Sequence, residues 1–238
     1  MGLFYQKNNM AISINTVYQR VLAILNKEQR GYLTPVEFNL FANQAQLDIF
    51  EQYFYDLNQF SRLPGNSTEY SDMVDILEEK ISAFEKSVDQ PTYSANYFVE
   101  PTDLYRLGTV IYNGSEAEHV NKNEYLYITS SPLSKPTNDF PIYTRDSGGI
   151  KIYAAAELTS NAGVTFNYIK HPTEAEWKYT VVNGEALYLA TGTVDFELHD
   201  SEETDIVIKI LQLAGVSSWY RRRSKGRSTR KSIIDGII

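Results

Sequence analysis

The sequence predicts an α+β protein: a helical bundle of three N-terminal helices and one C-terminal helix, carrying an inserted antiparallel β module and followed by a basic arm. Three observations lead there. Apolar residues recur at helical spacing, with start and stop signals, through the first 90 positions. From about position 91 the texture changes to short β-branched and aromatic runs divided by Asn-Gly pairs. The stretch "HDSEETDIVIKILQLAGV" then returns to helical spacing. The expected organisation is residues 1–95 helical, 96–198 β module, 199–220 a helix completing the bundle, and 221–238 a basic-apolar tail.

In the first helix, expected over 13–30, Val17, Val21, Ile24 and Leu25 share a face, and Gly31 after Lys27 and Arg30 is a stop signal. "GYLTPVEF" opens the second helix. Thr34 can cap, Pro35 suits the first helical position, and Glu37 sits three residues after the cap, which is a capping box. This helix is expected from Pro35 to Phe60. Val36, Leu40, Leu47, Phe50, Phe54 and Leu57 form its stripe, widened by Phe38, Phe41, Ala45, Ile49 and Tyr53. So wide a face needs more than one neighbour. Pro64 and Gly65 break the pattern. A third helix over 69–87, capped by Ser67 or Thr68, turns Met73, Ile76, Leu77, Ile81 and Phe84 inward and Glu69, Asp72, Asp75, Glu78 and Glu79 outward.

In the β module, "GTVIYNGSEAEHV" and "KYTVVNGEALYLA" place Asn113-Gly114 and Asn183-Gly184 between strand-like runs, the strongest short hairpin signal. "EYLYITS", "FPIYTRDSGGIKIYA" and "GVTFNYI" read as further strands, and the Gly148-Gly149 pair as a turn. Asp200 or Ser201 is expected to cap the closing helix, and Gly215 to end it.

Composition excludes several kinds of chemistry. There is no cysteine, hence no disulfide and no thiolate site. No apolar run is long enough to span a bilayer. The first ten residues suggest neither a signal peptide nor, with Gln6 at the sixth position, a myristoylation signal. No phosphate-binding loop, dinucleotide fingerprint, nucleophile elbow or metalloprotease motif occurs. Glu116-x-x-His119 has a di-iron spacing but stands once, beside a turn, and His171 and His199 are far from it in sequence. No catalytic residue, cofactor or metal is expected.

Charge is unevenly spread. Residues 221–238 hold seven of the 22 bases and one of the 30 acids, leaving 15 bases and 29 acids, a net of −14, on the rest. The basic residues are Arg221, Arg222, Arg223, Lys225, Arg227, Arg230 and Lys231. Ile233, Ile234, Ile237 and Ile238 follow. Phosphate binding needs charge and gains little from isoleucine, whereas a protein groove gains by burying it. The arm is therefore expected to dock on another chain, its bases on carboxylates such as those at 69–79 and its isoleucines in an apolar slot.

At "YQRVLAILNKEQRGYLTPVEFNLFANQAQLDIFEQYFYDLNQF" (Tyr18–Phe60) the chain resembles the N-terminal helical pair of a structural-protein family of crAss-like bacteriophages of gut bacteria. The Asn26–Phe38 segment carries the most specific match, and Val194–Gly215 resembles that family's closing helix. The layout is also similar to the tail-tubular adaptor proteins of short-tailed phages. The resemblance implies a ring of identical subunits, a dodecamer to match a portal, placed in the virion neck or tail and assembled in the host bacterial cytoplasm. It implies the portal protein or adjacent neck and tail rings as partners, DNA passing without specific binding, and no enzymatic activity. An acidic body suits a conduit wall that must not hold phosphates. The alternative is a nucleic-acid-binding protein acting through 221–231. An intracellular enzyme with an unmarked site is a third reading.

Overall fold

The computed structural model describes residues 11–27, 33–61 and 68–215. The fold is α+β, as expected, and divides into two compact units. Of the described residues, one comprises those up to Ala83 together with those from Pro172 to Gly215; the other is Phe84–His171. The expected β module, 96–198, has other edges: residues 84–95 belong with the sheet, while 172–198 belong with the helices.

In the first unit, α1 (Ile14–Lys27) buries Ile14, Val17, Tyr18, Val21 and Leu25, with Ile24 at the margin. The Ile14 amide donates to Asp195 Oδ1 at 2.9 Å, so an acid far along the chain helps cap α1. The capping box forms as expected at the start of α2 (Pro35–Ser61). The Thr34 amide donates to Glu37 Oε2 at 3.0 Å, and the Glu37 amide donates to Thr34 Oγ1 at 3.2 Å. The Thr34 hydroxyl, which donates to Glu37 Oε2 at 2.7 Å, and the Thr34 amide hold the Glu37 carboxyl below its usual range.

The buried face of α2 differs from the expected stripe. Phe38, Ala42, Ala45, Gln46, Ile49, Phe50 and Tyr53 are inside, while Val36 and Leu40 are exposed. The reason is polar. Asn39, Asn43 and Gln46 face the extended segment 173–177 and bond its backbone. The Trp177 amide donates to Asn39 Oδ1 (3.0 Å) and the Asn39 amide group donates to the Trp177 carbonyl (3.3 Å). Asn43 makes the same exchange with Ala175, at 2.7 and 3.1 Å. Gln46 donates to the Thr173 carbonyl at 2.8 Å and accepts from the Glu197 amide at 3.2 Å. Four helical residues advance about 6 Å and two extended residues about 6.6 Å, so Asn at 39 and 43 keeps step with 177 and 175. Three helical residues advance only about 4.5 Å, and the longer Gln side chain makes up the difference.

This ladder seats Trp177 in the core. Its ring packs 4.1 Å from Tyr18, and its indole N–H donates to Asn15 at 3.1 Å. Trp177 also roots the hairpin β9 (Tyr179–Val182) and β10 (Glu185–Tyr188), stacking on Tyr179 and Tyr188. The hairpin forms at Asn183-Gly184 but, among the described residues, pairs with no other strand, and it belongs with the helices, not with the large sheet.

α3 (Thr68–Ser82) packs on α2 and stops before the expected end at 87. A 3₁₀ turn (Asp200–Glu202) leads into α5 (Glu203–Leu213), which packs on α1 and α2 through Ile206, Val207 and Ile210. His199, not Asp200 or Ser201, caps this turn; its Nδ1 accepts from the Ser201 amide at 3.2 Å.

The second unit is built on an eight-stranded sheet: β1 (Glu85–Asp89), β8 (Val164–Lys170), β4 (Leu104–Tyr112), β5 (Ser115–His119), β6 (Ile142–Asp146), β7 (Gly149–Tyr153), β3 (Tyr97–Phe98) and β2 (Tyr93–Ser94), in that spatial order. It is mixed rather than antiparallel, because β5 and β6 run parallel. Parallel neighbours need a long crossover. That crossover holds α4 (Lys122–Ser130), where a strand was expected at "EYLYITS". The Asn121 amide donates to Glu124 at 3.1 Å, half of a capping box that marks the helix start despite its β-prone composition. β1 replaces the expected last turn of α3; its exposed, polar sequence hid an edge strand pairing with β8. Phe98, Val110, Ile150, Ile152, Val164 and Phe166 form the core beside the sheet.

Candidate functional site

Within the helical unit, α2, α3 and α5 enclose a groove of about 420 Å³. Its floor is polar. Lys80 Nζ donates to Glu202 Oε1 at 2.5 Å, and Glu202 is almost fully buried. Lys80 also lies 5.6 Å above the Tyr53 ring. Tyr53 is 4% exposed, and its buried hydroxyl lies beside the Glu202 carboxylate. Burial pushes its pKa well above the usual value, and the nearby charges of Glu202 and Asp205 push it further. Only the neutral, donating phenol fits here.

The rim is apolar and open. Met73, Ile76 and Ile208 are between 43% and 45% exposed. Met73 and Ile76 were expected inward with Leu77 and Ile81, but only the latter two are buried. Asp75, Glu78 and Glu79 form an exposed acidic ridge on α3, as expected. The side chains of Glu69 and Asp72 lie outside the described residues, as do all the arm residues from Arg221 to Ile238. Thr34, Pro35 and Glu37 serve the helix start only.

Two further surfaces expose apolar side chains. On the β9–β10 hairpin, Val181 and Tyr188 stand on one face and Val182 and Leu187 on the other, each between 41% and 64% exposed. Among the described residues, neither hairpin edge is paired to a third strand. In the sheet unit, the β5–β6 crossover exposes Leu126 (65%), Tyr127 (76%), Leu133 (99%) and Phe140 (78%), and α4 buries nothing.

The histidines do not converge. Glu116 and His119 both lie on β5, where an odd spacing sends side chains to opposite faces. His119 lies beside Tyr143, and His171 packs edge-on to Tyr105. Among the described residues no group of His, Asp and Glu could hold a metal ion, and no helix is long and apolar enough to cross a membrane.

Sequence reasoning missed Tyr53, Lys80 and Glu202 as a set, because they are brought together only by the packing of α3 and α5 on α2. It also missed the hairpin as a separate projection; the signal was Trp177 immediately before a strand pair rich in exposed-type apolar residues. No protein-family model matches the chain, and no curated protein is significantly similar to it.

Proposed function

We propose that this chain is a structural subunit of an oligomeric ring, a head-to-tail connector in the neck of a bacteriophage, that binds copies of itself and neighbouring portal or tail proteins and carries out no catalysis. In this reading α1, α2, α3 and α5 act as a bundle, the sheet unit as its inserted β module, and residues 221–238 as an arm toward another chain. The ring is a dodecamer lining part of the DNA conduit, and its acidic body keeps the DNA free to slide.

The observation that carries the reading is the β9–β10 hairpin. A two-stranded hairpin is marginal in water, and this one exposes valine, leucine and tyrosine on both faces. Such a surface fits a neighbouring subunit. The resemblance at Tyr18–Phe60 and Val194–Gly215 supplies the phage context.

Mass photometry and negative-stain microscopy of the purified chain, alone and with a portal ring, test it. Closed rings are expected. A monomer under both conditions overturns the reading. The basic run at 221–231 favours a second reading, nucleic-acid binding. Salt-sensitive DNA affinity in a monomeric protein, lost on deletion of 221–238, would establish that alternative instead.

A further inference from the structure

We propose that the groove between α2, α3 and α5 receives residues 233–238 of a second copy of this chain, with the preceding basic run lying along the acidic ridge of α3. The inference rests on the ring reading and names the contact that links one subunit to the next.

The groove is shaped for an apolar segment. Ile76 and Ile208 offer apolar walls on opposite sides, each half open to water. At the floor, the buried Tyr53 hydroxyl lies beside the Glu202 carboxylate that Lys80 holds. A small polar ligand would not use the apolar walls.

Charge selects the same segment. In the groove itself Asp56, Glu202 and Asp205 stand against Lys80 and Lys209, so the acidic surface is the ridge of Asp75, Glu78 and Glu79 on the exposed face of α3, the helix that forms one wall. In this sequence the densest basic run, Arg221–Lys231, directly precedes the Ile233-Ile234 and Ile237-Ile238 pairs. Bases would meet the ridge as isoleucines enter the groove, in the order the sequence gives them.

Reach and repulsion choose between a chain's own groove and a neighbour's. The stretch Val216–Ile233, extended, spans up to about 60 Å, longer than α2 at about 40 Å. Seven like charges within eleven of those residues repel one another and favour extension over a tight return to the same helix trio.

The chain has no cysteine, so a disulfide can report the contact cleanly. Full-length Ile76→Cys and full-length Ile234→Cys, carrying tags of different mass, are mixed and oxidised. Ile76 is 45% exposed, so the substitution spares the core, and circular dichroism checks the fold. The expected product is the mixed disulfide dimer, with loss of that product when exposed Ser160→Cys replaces Ile76→Cys. High salt applied before oxidation should reduce its yield. Equal yields for the two partners, no mixed dimer, or, in a chain carrying both Ile76→Cys and Ile234→Cys, a disulfide formed only within that chain each overturn the proposal. Rings without the mixed dimer reject the docking and leave the ring reading standing. A mixed dimer in a sample that never closes rings supports the docking and rejects the ring.

Discussion

Asn43 and Ala175, 132 positions apart, exchange a pair of hydrogen bonds as two paired β-strand residues would: the Ala175 amide donates at 2.7 Å and the Asn43 side-chain amide returns one at 3.1 Å. A helix thereby reads the backbone of an extended segment through a carboxamide, which carries the same donor and acceptor as a peptide group. Ala175 is fully buried, so its N–H and C=O have no access to water. Asn43→Leu should cost about 2–4 kcal/mol, because two buried backbone groups lose their partners at once. Asn43→Asp keeps the acceptor and should cost less at pH 4 than at pH 7. Urea unfolding midpoints at the two pH values measure this; equal stability of Asn43→Leu and the parent protein would contradict the ladder.

That ladder also shows where the sequence was legible. Local signals held: the Thr34–Glu37 box, both Asn-Gly turns and the closing helix are fixed by residues within a few positions of one another. Inward-facing Asn39, Asn43 and Gln46 were not readable, since a hydrophobicity pattern treats amides as solvent-facing and their partners lie far along the chain. α4 failed for the opposite reason. It buries no residue, so no periodic stripe existed to be seen, and Tyr, Ile and Thr suggested a strand. The Tyr53–Lys80–Glu202 floor needed three elements that only tertiary packing brings together.

The glycines of the turns separate strain from crowding. Gly184 has φ +86° and open space where a Cβ would stand. Gly184→Ala should therefore cost about 1 kcal/mol, the intrinsic penalty of a left-handed conformation. Gly149, which closes the β6–β7 turn, has φ +127° and would set a Cβ 2.6 Å from the Phe98 carbonyl oxygen. Backbone cannot yield as a side chain does, so Gly149→Ala should cost about 3 kcal/mol. Thermal unfolding of the two variants side by side checks the order; a reversal would refute it.

Stability should fall in acid and in strong base, for different groups. The hydrogen bond from Lys86 lowers the Asp103 carboxyl below its ordinary 3.8, helped by the Tyr168 hydroxyl, and the Gly148 amide does the same for Asp146. A carboxyl depressed on folding stabilises above its unfolded pKa and loses that contribution as pH falls through the folded one. Unfolding midpoints should hold steady down to about pH 5 and then drop, with a shallower drop in Asp103→Asn. Tyr53 has the opposite sign. Its pKa is raised from 10.0, so the contribution is complete below that value and is lost as pH climbs beyond it. A flat acid limb in the parent protein would contradict the Asp103 assignment.

Lys80 and Glu202 should behave as a unit. Removing Lys80 leaves a buried carboxylate without its partner, while removing both leaves an apolar floor. Because the Lys80 side chain keeps 20% exposure, Lys80→Met alone should cost about 2–3 kcal/mol, below the fully buried case. The double variant Lys80→Met/Glu202→Leu should recover most of that loss. A double-mutant cycle by urea unfolding gives the coupling; additive losses would show that the pair contributes nothing.

The β9–β10 hairpin should govern assembly without governing the fold. Its anchor is internal, through Trp177 stacked on Tyr179 and Tyr188, so changes near the tip leave the core intact. Val181 lies 64% exposed on the face shared with Tyr188, and Leu187 48% exposed on the opposite face. Exposed substitutions of this kind usually change stability by less than about 0.5 kcal/mol. Under the proposed ring, aspartate at either position would put a charge into the apolar centre of the subunit contact, where burying it unpaired costs several kcal/mol. Val181→Asp and Leu187→Asp should therefore melt as the parent protein does and, if the chain forms the ring proposed above, fail to close it. Testing the faces singly adds resolution. If only Val181→Asp blocks assembly, the contact uses the Tyr188 face; if only Leu187→Asp does, it uses the other. Rings of normal size and yield from both variants would remove the hairpin from the interface.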